Sequence, residues 1–266
     1  MQLTTLIENY VEQKSLLAEH GLSILIDTGS KKILFDTGQT DNFLLNAKVL
    51  GIDVVDIDYV VLSHGHYDHT GGLIAFLKAN KKAFIFCKKA LFIPKYNNVD
   101  KFIGIIWHDE LMCGRFRFID QVTELEPNIF IMPDTHIYNA VDTHFKDLKI
   151  KINDCLVEDK MEDELFIAIR HENSISLLTA CSHRGISNIC TTANDYFKLA
   201  IYSITGGFHL KHCTRKQYNF IVDYFNKMEP AIIGTCHCTG VEKFSQLQRD
   251  LKNQMFYNYT GRCINF

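Results

Sequence analysis

VVLSHGHYDHTGG, residues 60–72, joins the end of an apolar run to a dense group of polar side chains. The polar group consists of His64, His66, Asp68 and His69. Imidazole nitrogen and carboxylate oxygen are the donors that borderline divalent cations such as Zn²⁺ prefer. The apolar residues 59–62 predict a short buried strand, and the glycines within residues 70–72 predict a tight turn before a helix. A strand that delivers four such donors from one loop predicts a metal site.

The spacing within this loop allows one metal ion or two. His64 and His66 can face one ion while Asp68 and His69 face a second. With a single ion, Asp68 would instead serve as a general base toward a water molecule that the metal activates. A polar surface loop that happens to be rich in histidine is the alternative interpretation. The density of donors directly after a buried strand argues against it.

Three more histidines follow apolar, β-rich runs in the second half of the chain. His183 follows SLLTACS, His209 follows SITGG and His237 follows IIGTC. An open α/β sheet places its functional side chains at the carboxyl ends of its strands. A lone histidine after a strand is more often an ordinary hydrogen-bonded residue. The expectation that these histidines bind metal therefore depends on their recurrence after three separate runs. We expect His183 and His237 to share a cation with the first loop, and His209 to be an additional ligand or a substrate contact.

The nine cysteines are interpreted mainly as packing residues. Residues 1–10 show no apolar export segment, so we expect reduced thiols and a cytoplasmic protein. Cys236 and Cys238 flank His237 and could in principle bind metal. However, Cys-x-Cys is not a usual zinc spacing, and buried cysteine packs well as a small apolar residue.

The amino-acid composition argues against some classes of binding partner. The net charge is −3 and the isoelectric point is near 6.4, which gives no general attraction to nucleic acid or to an anionic membrane. No apolar run approaches the roughly 20 residues that cross a bilayer. Hydrophobic residues make up 47% of the 266 residues, enough for a sizeable core. We therefore expect a small-molecule substrate, and the sequence leaves the oligomeric state open.

Strands and helices alternate in both halves of the chain, which favours layered α/β packing. In the first half we predict strands at residues 22–26, 32–35, 59–62 and 83–87 and helices at 41–50 and 73–78. In the second half we predict strands at residues 165–170, 174–179, 201–205 and 231–235, helices at 186–196, 215–228 and 246–251, and closing strands at 255–259 and 263–266. Residues 80–164 carry weaker patterns and are expected to be a variable segment that walls a substrate cleft. We expect one domain over residues 1–266.

The sequence HGHYDH fits the HxHxDH signature of the metallo-β-lactamase superfamily. Several segments resemble the subfamily named for 7,8-dihydropterin-6-methyl-4-(β-D-ribofuranosyl)-aminobenzene-5′-phosphate synthase: residues 19–27, 34–47, 63–73, 181–189, 206–210 and 237–240. The resemblance implies an αββα four-layer sandwich, with two mixed sheets flanked by helices and the metals at one edge. It also implies that Asp36 orients a ligand imidazole, the alternative being a simple turn residue, and that His20 can reach the cleft.

The chain departs from the superfamily pattern in its second half. An Asp in a Gly-Asp pair typically bridges two metals, whereas Cys181, Ser182 and His183 follow the run SLLTA here. The intermediate histidine ligand is also ambiguous, with four candidates: His108, His136, His144 and His171. The resemblance thus implies one or two Zn²⁺ ions, with Mn²⁺ or Fe²⁺ as alternatives, and leaves the ligand set open.

The resemblance implies a metal-dependent enzyme, either a hydrolase or a pterin-related phosphate synthase, that acts on a small phosphorylated molecule. In the synthase reaction a dihydropterin pyrophosphate condenses with a ribofuranosylaminobenzene phosphate. The scaffold hosts many chemistries, so hydrolysis of a phosphate ester, lactone or thioester stands level with condensation. A metal-binding or ligand-sensing protein with a degraded catalytic centre is the alternative, and the missing Gly-Asp pair is the argument for it.

Overall fold

The computed structural model describes residues 1–98, 101–112 and 114–265. The chain divides into two compact units, each built from separate stretches of sequence. The first unit contains Met1–Ile119, Asp147–Asp163 and Tyr259–Phe266, and the second contains Asp120–Lys146 and Glu164–Asn258. The expectation of one domain over residues 1–266 stays a prediction.

Strands make up the centre of both units. Within the described residues they are β1 (Gln2–Ile7), β2 (Ser23–Asp27), β3 (Lys32–Phe35), β4 (Tyr59–Val61), β5 (Phe84–Cys87), β6 (Lys95–Asn97), β7 (Lys101–Phe102), β8 (Phe116–Phe118), β9 (Thr123–Glu126), β10 (Ile129–Met132), β11 (Leu148–Ile152), β12 (Cys155–Glu158), β13 (Phe166–Arg170), β14 (Ser174–Leu178), β15 (Ala200–Gly206), β16 (Ile232–Thr235), β17 (Gln254–Tyr257) and β18 (Cys263–Asn265).

The helices alternate with these strands along the chain. They are α1 (Asn42–Val49), α2 (Tyr67–Thr70), α3 (Leu73–Ala79), α4 (Ile186–Phe197), α5 (Arg215–Met228) and α6 (Val241–Asp250). None of the helices in the described residues is both long and apolar enough to cross a membrane.

The first unit contains a mixed sheet in the order β18-β1-β2-β3-β4-β5-β8. Its strands are antiparallel from β18 to β3 and parallel from β3 to β8. Helices α1 and α3 bury Phe43 and Phe76 in one apolar cluster with Leu34, Val60 and Ile85 of the sheet. Full burial of such side chains contributes about 1.5–3 kcal/mol each. A smaller antiparallel sheet, β12-β11-β6-β7, belongs to the same unit.

The second unit contains another mixed sheet, in the order β17-β16-β15-β14-β13-β10-β9. Strands β14 to β17 are parallel, so the loops after β14, β15 and β16 leave the sheet at one edge. Helix α5 buries Tyr218, Ile221 and Phe225 in a cluster that includes Ile204 and Ile233 of the sheet. This packing fixes the edge from which His183, His209 and His237 emerge.

The sequence predicted most of these elements to within a few residues, and the α/β class is confirmed. Helix α5 begins and ends where the pattern placed it, and a capping box joins Thr214 and Gln217 at its start. Strand β1, helix α2 and the small sheet were not predicted. Phe266, the end of the last predicted strand, lies outside the described residues.

Candidate metal centre

His64 and His66 follow strand β4 and are almost fully buried, with exposures of 0% and 6%. His64 Nε2 lies 3.0 Å from His66 Nδ1. Two Zn–N bonds of about 2.0–2.1 Å at a tetrahedral angle place their nitrogens roughly 3.4 Å apart. The two imidazoles therefore lie near the separation that joint coordination of one ion requires.

The protonation state of His66 also suits metal binding. Burial is the largest influence on the pKa of His66 and lowers it to about 3, although the charge of Asp68 opposes the shift. The imidazole is therefore neutral at neutral pH, which is the form that coordinates a metal.

Asp36 connects the two ends of the loop through hydrogen bonds. Its Oδ2 lies 2.7 Å from His69 Nδ1 and 2.6 Å from Ser63 Oγ, and its Oδ1 accepts from Ser63 N at 2.7 Å. Ser63 Oγ in turn lies 2.9 Å from His64 Nδ1. An acceptor-only carboxylate in this position favours the tautomers of His64 and His69 that carry hydrogen on Nδ1. The Nε2 lone pairs of both rings are then available to a metal.

Asp68 lies between two imidazoles of the first unit. Its Oδ2 is 3.2 Å from His20 Nε2 and 3.7 Å from His69 Nε2. The Asp68 side chain is 11% exposed, whereas that of His20 is 54% exposed. Asn9 Nδ2 lies 3.2 Å from His20 Nδ1, which favours hydrogen on Nε2, toward Asp68. The Asp68 carboxylate can therefore be a ligand or a proton acceptor that His20 orients.

A buried ion-pair network supports the backbone of the loop at Gly65. Asp163 accepts from Gly65 N at 2.7 Å through Oδ2 and from Lys95 Nζ at 2.8 Å through Oδ1. Lys95 Nζ also donates to Asp159 at 2.7 Å. A Cβ at Gly65 would lie only 2.4 Å from the carbonyl oxygen of Leu91, so the close approach needs glycine. Sequence reasoning missed these carboxylates because they act on a backbone N–H far away in the chain.

The second unit contains two groups of potential metal donors that share one cysteine. Donor atoms of Cys181, His183 and His209 all lie within 4.8 Å of one another. The same is true of Cys181, His237 and Cys238. The structure therefore brings together the three downstream histidines and adds two thiols that the sequence interpretation treated as packing residues. The position of Cys181 after a parallel strand, like that of the histidines, was the signal that could have identified it.

Several residues in these loops have a left-handed backbone, which is uncommon for any residue other than glycine. The φ angles are +60° at Asp36, +57° at Ser182, +51° at His209 and +51° at His237. Strained backbone of this kind is typical of functional sites, where the surrounding structure holds it in place.

Glu164 holds the loop that carries His183, a role the sequence did not indicate. Its carboxylate accepts from the backbone N–H of His183 at 2.6 Å and of Arg184 at 2.8 Å. His144 contacts the same loop, since its backbone N–H donates to the backbone carbonyl of His183 at 2.8 Å. The ring of His144 lies 5.0 Å from that of His209.

The other three intermediate histidines have different surroundings. His136 packs against Tyr138 with 4.7 Å between ring centroids, and His171 Nε2 lies 2.8 Å from Ser176 Oγ. His108 lines a cavity of about 310 Å³ in the first unit. Tyr67 of helix α2 also lines this cavity, so it adjoins the helix that carries Asp68 and His69.

The potential metal donors of the first unit and those of the second unit both suit a divalent cation of borderline softness. Imidazole nitrogen, thiolate sulfur and carboxylate oxygen are all ligands of zinc. The described residues could thus form a metal site, and the identity of the metal is not fixed by them.

Comparison with solved structures places this chain in a family. The crystal structure of Tm1679, a metal-dependent hydrolase of the β-lactamase superfamily, is 31% identical in sequence, with a TM-score of 0.89, and the match covers 100% of this chain and 99% of that one. The chain belongs to the metallo-β-lactamase superfamily. A family model of the metallo-β-lactamase superfamily matches residues 17–118. The predicted superfamily fold, with mixed sheets and flanking helices, is confirmed.

Other proteins that are similar to this chain in sequence or in fold carry different names. The 7,8-dihydropterin-6-methyl-4-(β-D-ribofuranosyl)-aminobenzene-5′-phosphate synthase of Methanocaldococcus jannaschii is 29% identical over 100% of this chain and 97% of its own length. Zn²⁺-bound PqqB from Methylobacterium extorquens has a TM-score of 0.61 at 8% identity over the full length of both chains, which is a similarity of fold alone.

Proposed function

We propose that this protein is a metal-dependent enzyme that hydrolyses a small phosphorylated molecule. The observation that carries the proposal is the buried pair His64 and His66, whose nitrogens lie 3.0 Å apart in a chain of this superfamily. The proposed metal ligands are His64, His66, Asp68, His69, His183 and His237, with Zn²⁺ as the expected metal and Mn²⁺ or Fe²⁺ as alternatives. That the ligands of the two units share one cation stays a prediction.

A bound divalent cation would supply Lewis acidity, which stabilises negative charge on a phosphoryl oxygen. The residues of the chain would supply orientation and proton transfer. Asp36 holds the imidazole of His69 through its 2.7 Å contact, so the ring cannot turn away. Where Asp68 is not a ligand, its Oδ2 takes the proton of the attacking nucleophile, and His20 at 3.2 Å orients the carboxylate by donating to it. His209 is proposed as an additional ligand or a contact to the substrate.

The cavity beside helix α2 supports an anionic small molecule as the substrate. Lys101 and His108 contribute a cation and a titratable ring to its lining, while Tyr67, Thr70 and Phe102 add two hydroxyl groups and an aromatic surface. None of the described residues that line the cavity carries a carboxylate. A volume of about 310 Å³ lies at the lower end of the range typical of small-molecule sites.

The test combines metal analysis with an activity panel. Chelated protein is reconstituted with Zn²⁺, Mn²⁺ or Fe²⁺ and assayed on phosphate monoesters and diesters, lactones and thioesters. We expect metal-dependent hydrolysis of at least one phosphate ester and loss of both metal and activity in His66→Ala. His171→Ala is the matched control, because its ring is hydrogen-bonded to Ser176 instead. Full metal occupancy without turnover of any phosphate ester would contradict the hydrolase proposal.

A synthase is the second candidate, because the synthase of M. jannaschii matches this chain along its whole length. It is tested by supplying a dihydropterin pyrophosphate together with a ribofuranosylaminobenzene phosphate and measuring pyrophosphate release. Release that requires both substrates would support the synthase, whereas metal binding without either reaction would favour a metal-binding or ligand-sensing protein.

A further inference from the structure

Cys181 lies where the two donor groups of the second unit meet. Its sulfur is within 4.8 Å of donor atoms of His183 and His209, and also of His237 and Cys238. We propose that Cys181 Sγ is a metal ligand, so that the cation is held in part by a thiolate. This inference rests on the proposed function, since it concerns the same metal, and it adds a ligand and a preference among metals.

The local backbone presents Cys181 and His183 together. Ser182, between them, has a φ of +57°, a conformation in which the chain turns sharply. The Ser182 hydroxyl fixes this turn by donating to the carbonyl of Gly207 at 2.7 Å, and it lies 2.9 Å from Thr179 Oγ1. Cys181 itself is only 3% exposed. The hydrogen bonds of Ser182 therefore fix the turn, and the turn fixes the position of the Cys181 sulfur.

Two other buried cysteines, Cys87 and Cys190, have surroundings that suit packing. Cys190 belongs to the apolar cluster of the second unit, and burial raises the pKa of its thiol well above the usual value. Cys87 belongs to the cluster of the first unit, and burial raises its pKa to about 12. Cys181 belongs to neither cluster of described residues, and its neighbouring donors are imidazoles and the thiol of Cys238. Imidazole and thiolate together are a donor set that coordinates zinc.

Cys238 is the less suitable of the two thiols. Its sulfur accepts a hydrogen bond from the backbone N–H of His209 at 3.3 Å and lies 3.5 Å from the carbonyl oxygen of Cys181. These contacts tie it to the backbone of the loops, whereas Cys181 alone belongs to both donor groups. We therefore assign the ligand to Cys181 and a supporting position to Cys238.

A thiolate ligand has a consequence for metal selection. Soft sulfur donors favour Zn²⁺ and Co²⁺ over Mn²⁺, which prefers oxygen. The thiol coordinates a metal as its thiolate. Substitution Cys181→Asp replaces sulfur by oxygen and should shift the preference toward Mn²⁺ by at least roughly tenfold.

The test uses cobalt as a spectroscopic probe of the whole chain. Reduced, metal-free protein is titrated with Co²⁺, and we expect a thiolate-to-cobalt charge-transfer absorption in the near ultraviolet. Cys181→Ser should lose this absorption. Cys190→Ser, at a buried cysteine in the apolar cluster, and Cys238→Ser should keep it. Absorption that persists in Cys181→Ser, or that disappears only in Cys238→Ser, would overturn the assignment.

X-ray absorption of the wild-type zinc protein keeps the inference testable if the variants fold poorly. A sulfur neighbour at about 2.3 Å supports the proposal, whereas a shell of only nitrogen and oxygen at about 2.0–2.2 Å overturns it. Failure of the proposed function is distinguishable, because it would appear as stoichiometric metal without turnover of any phosphate ester, whether or not sulfur is a ligand. Stoichiometric metal without sulfur ligation would overturn only the assignment of Cys181.

Discussion

Asp163 accepts a hydrogen bond from the backbone N–H of Gly65, with 2.7 Å between the two heavy atoms. The same carboxylate pairs with the ammonium group of Lys95, which is 2% exposed. A charge buried to this degree must be compensated by partners, because transfer out of water is costly. The loop that carries His64 and His66 is therefore held in place by buried charged groups that compensate one another.

Substitution Lys95→Met should destabilise the fold strongly. It leaves Asp159 and Asp163 buried without their shared counter-ion, and breaking a buried pair in this way costs about 3–5 kcal/mol. Urea unfolding of metal-free protein measures the change. The matched control is Lys151→Met, which removes an exposed pair with Asp154 and should change the free energy of unfolding little. Equal effects of the two substitutions would contradict the role of the network.

The pH dependence of the Lys95 contribution follows from its pKa. Burial alone would lower the pKa of Lys95, but the charges of Asp163 and Asp159 and hydrogen bonds to them raise it above the ordinary value of 10.5. A raised pKa in the folded state stabilises the fold fully below 10.5, and the contribution is lost as pH rises through the higher folded value. The difference in unfolding free energy between wild type and Lys95→Met should therefore stay constant from pH 7 to about 9. A difference that decreases between pH 7 and about pH 9 would contradict the prediction.

Substitution Asp36→Asn should weaken metal binding by about 10- to 100-fold, the usual effect of removing a partner that orients a ligand histidine. The amide is neutral and can present a donor to His69 Nδ1, which disfavours the required tautomer. Competition with a chromophoric chelator measures the affinity. Asp53→Asn is the control, because the Asp53 oxygen that accepts from Val55 N is retained in asparagine. An unchanged affinity in Asp36→Asn would show that Asp36 is only a turn residue.

Helix α5 offers a prediction about stability alone. The Thr214 side chain accepts from Gln217 N, and the Gln217 side chain accepts from Thr214 N, which completes a capping box. Thr214→Ala removes an acceptor from the first turn and should cost about 1 kcal/mol in the free energy of unfolding. Thr214→Ser keeps the hydroxyl and should restore most of the loss. Metal affinity should be the same in all three proteins.

Sequence patterns predicted the elements whose burial follows a simple period. They missed strand β1, because Thr4 and Thr5 are buried within it and interrupt the apolar run. Helix α2 has only four residues, too few for a helical period to register. The small sheet was also missed, since strand β12 is exposed at every position and gives no pattern of burial.

The sequence predicted those donors of the candidate site that lie close together in the chain or directly after a strand. All four donors of the first loop follow from the spacing of HGHYDH, and the positions after parallel strands indicated His183 and His237. Lys95, Asp163 and Glu164 act on backbone groups or on each other over long stretches of chain, so no local pattern marks them. The role of the site residues as ligands stays a prediction.

Substitution Gly207→Ala should damage the donor group of the second unit more than the fold as a whole. A Cβ at this position would lie 2.4 Å from the carbonyl oxygen of Ala180 and 2.6 Å from Cys238 Sγ, so the neighbouring loops must shift. We expect overpacking to cost about 1–3 kcal/mol and metal affinity to fall by at least about tenfold.

Gly51→Ala is the control for Gly207→Ala. Gly51 has a φ of +72° but no heavy atom within 4 Å of a built Cβ, so alanine there should cost about 1–2 kcal/mol through backbone strain alone. Metal affinity should then match that of the wild type, because the strain lies at the end of helix α1 and not among the donors. Titration of both variants with Zn²⁺, alongside urea unfolding, separates the two effects. Equal losses of metal affinity in the two variants would show that affinity follows overall stability and not the geometry around Cys181 and Cys238.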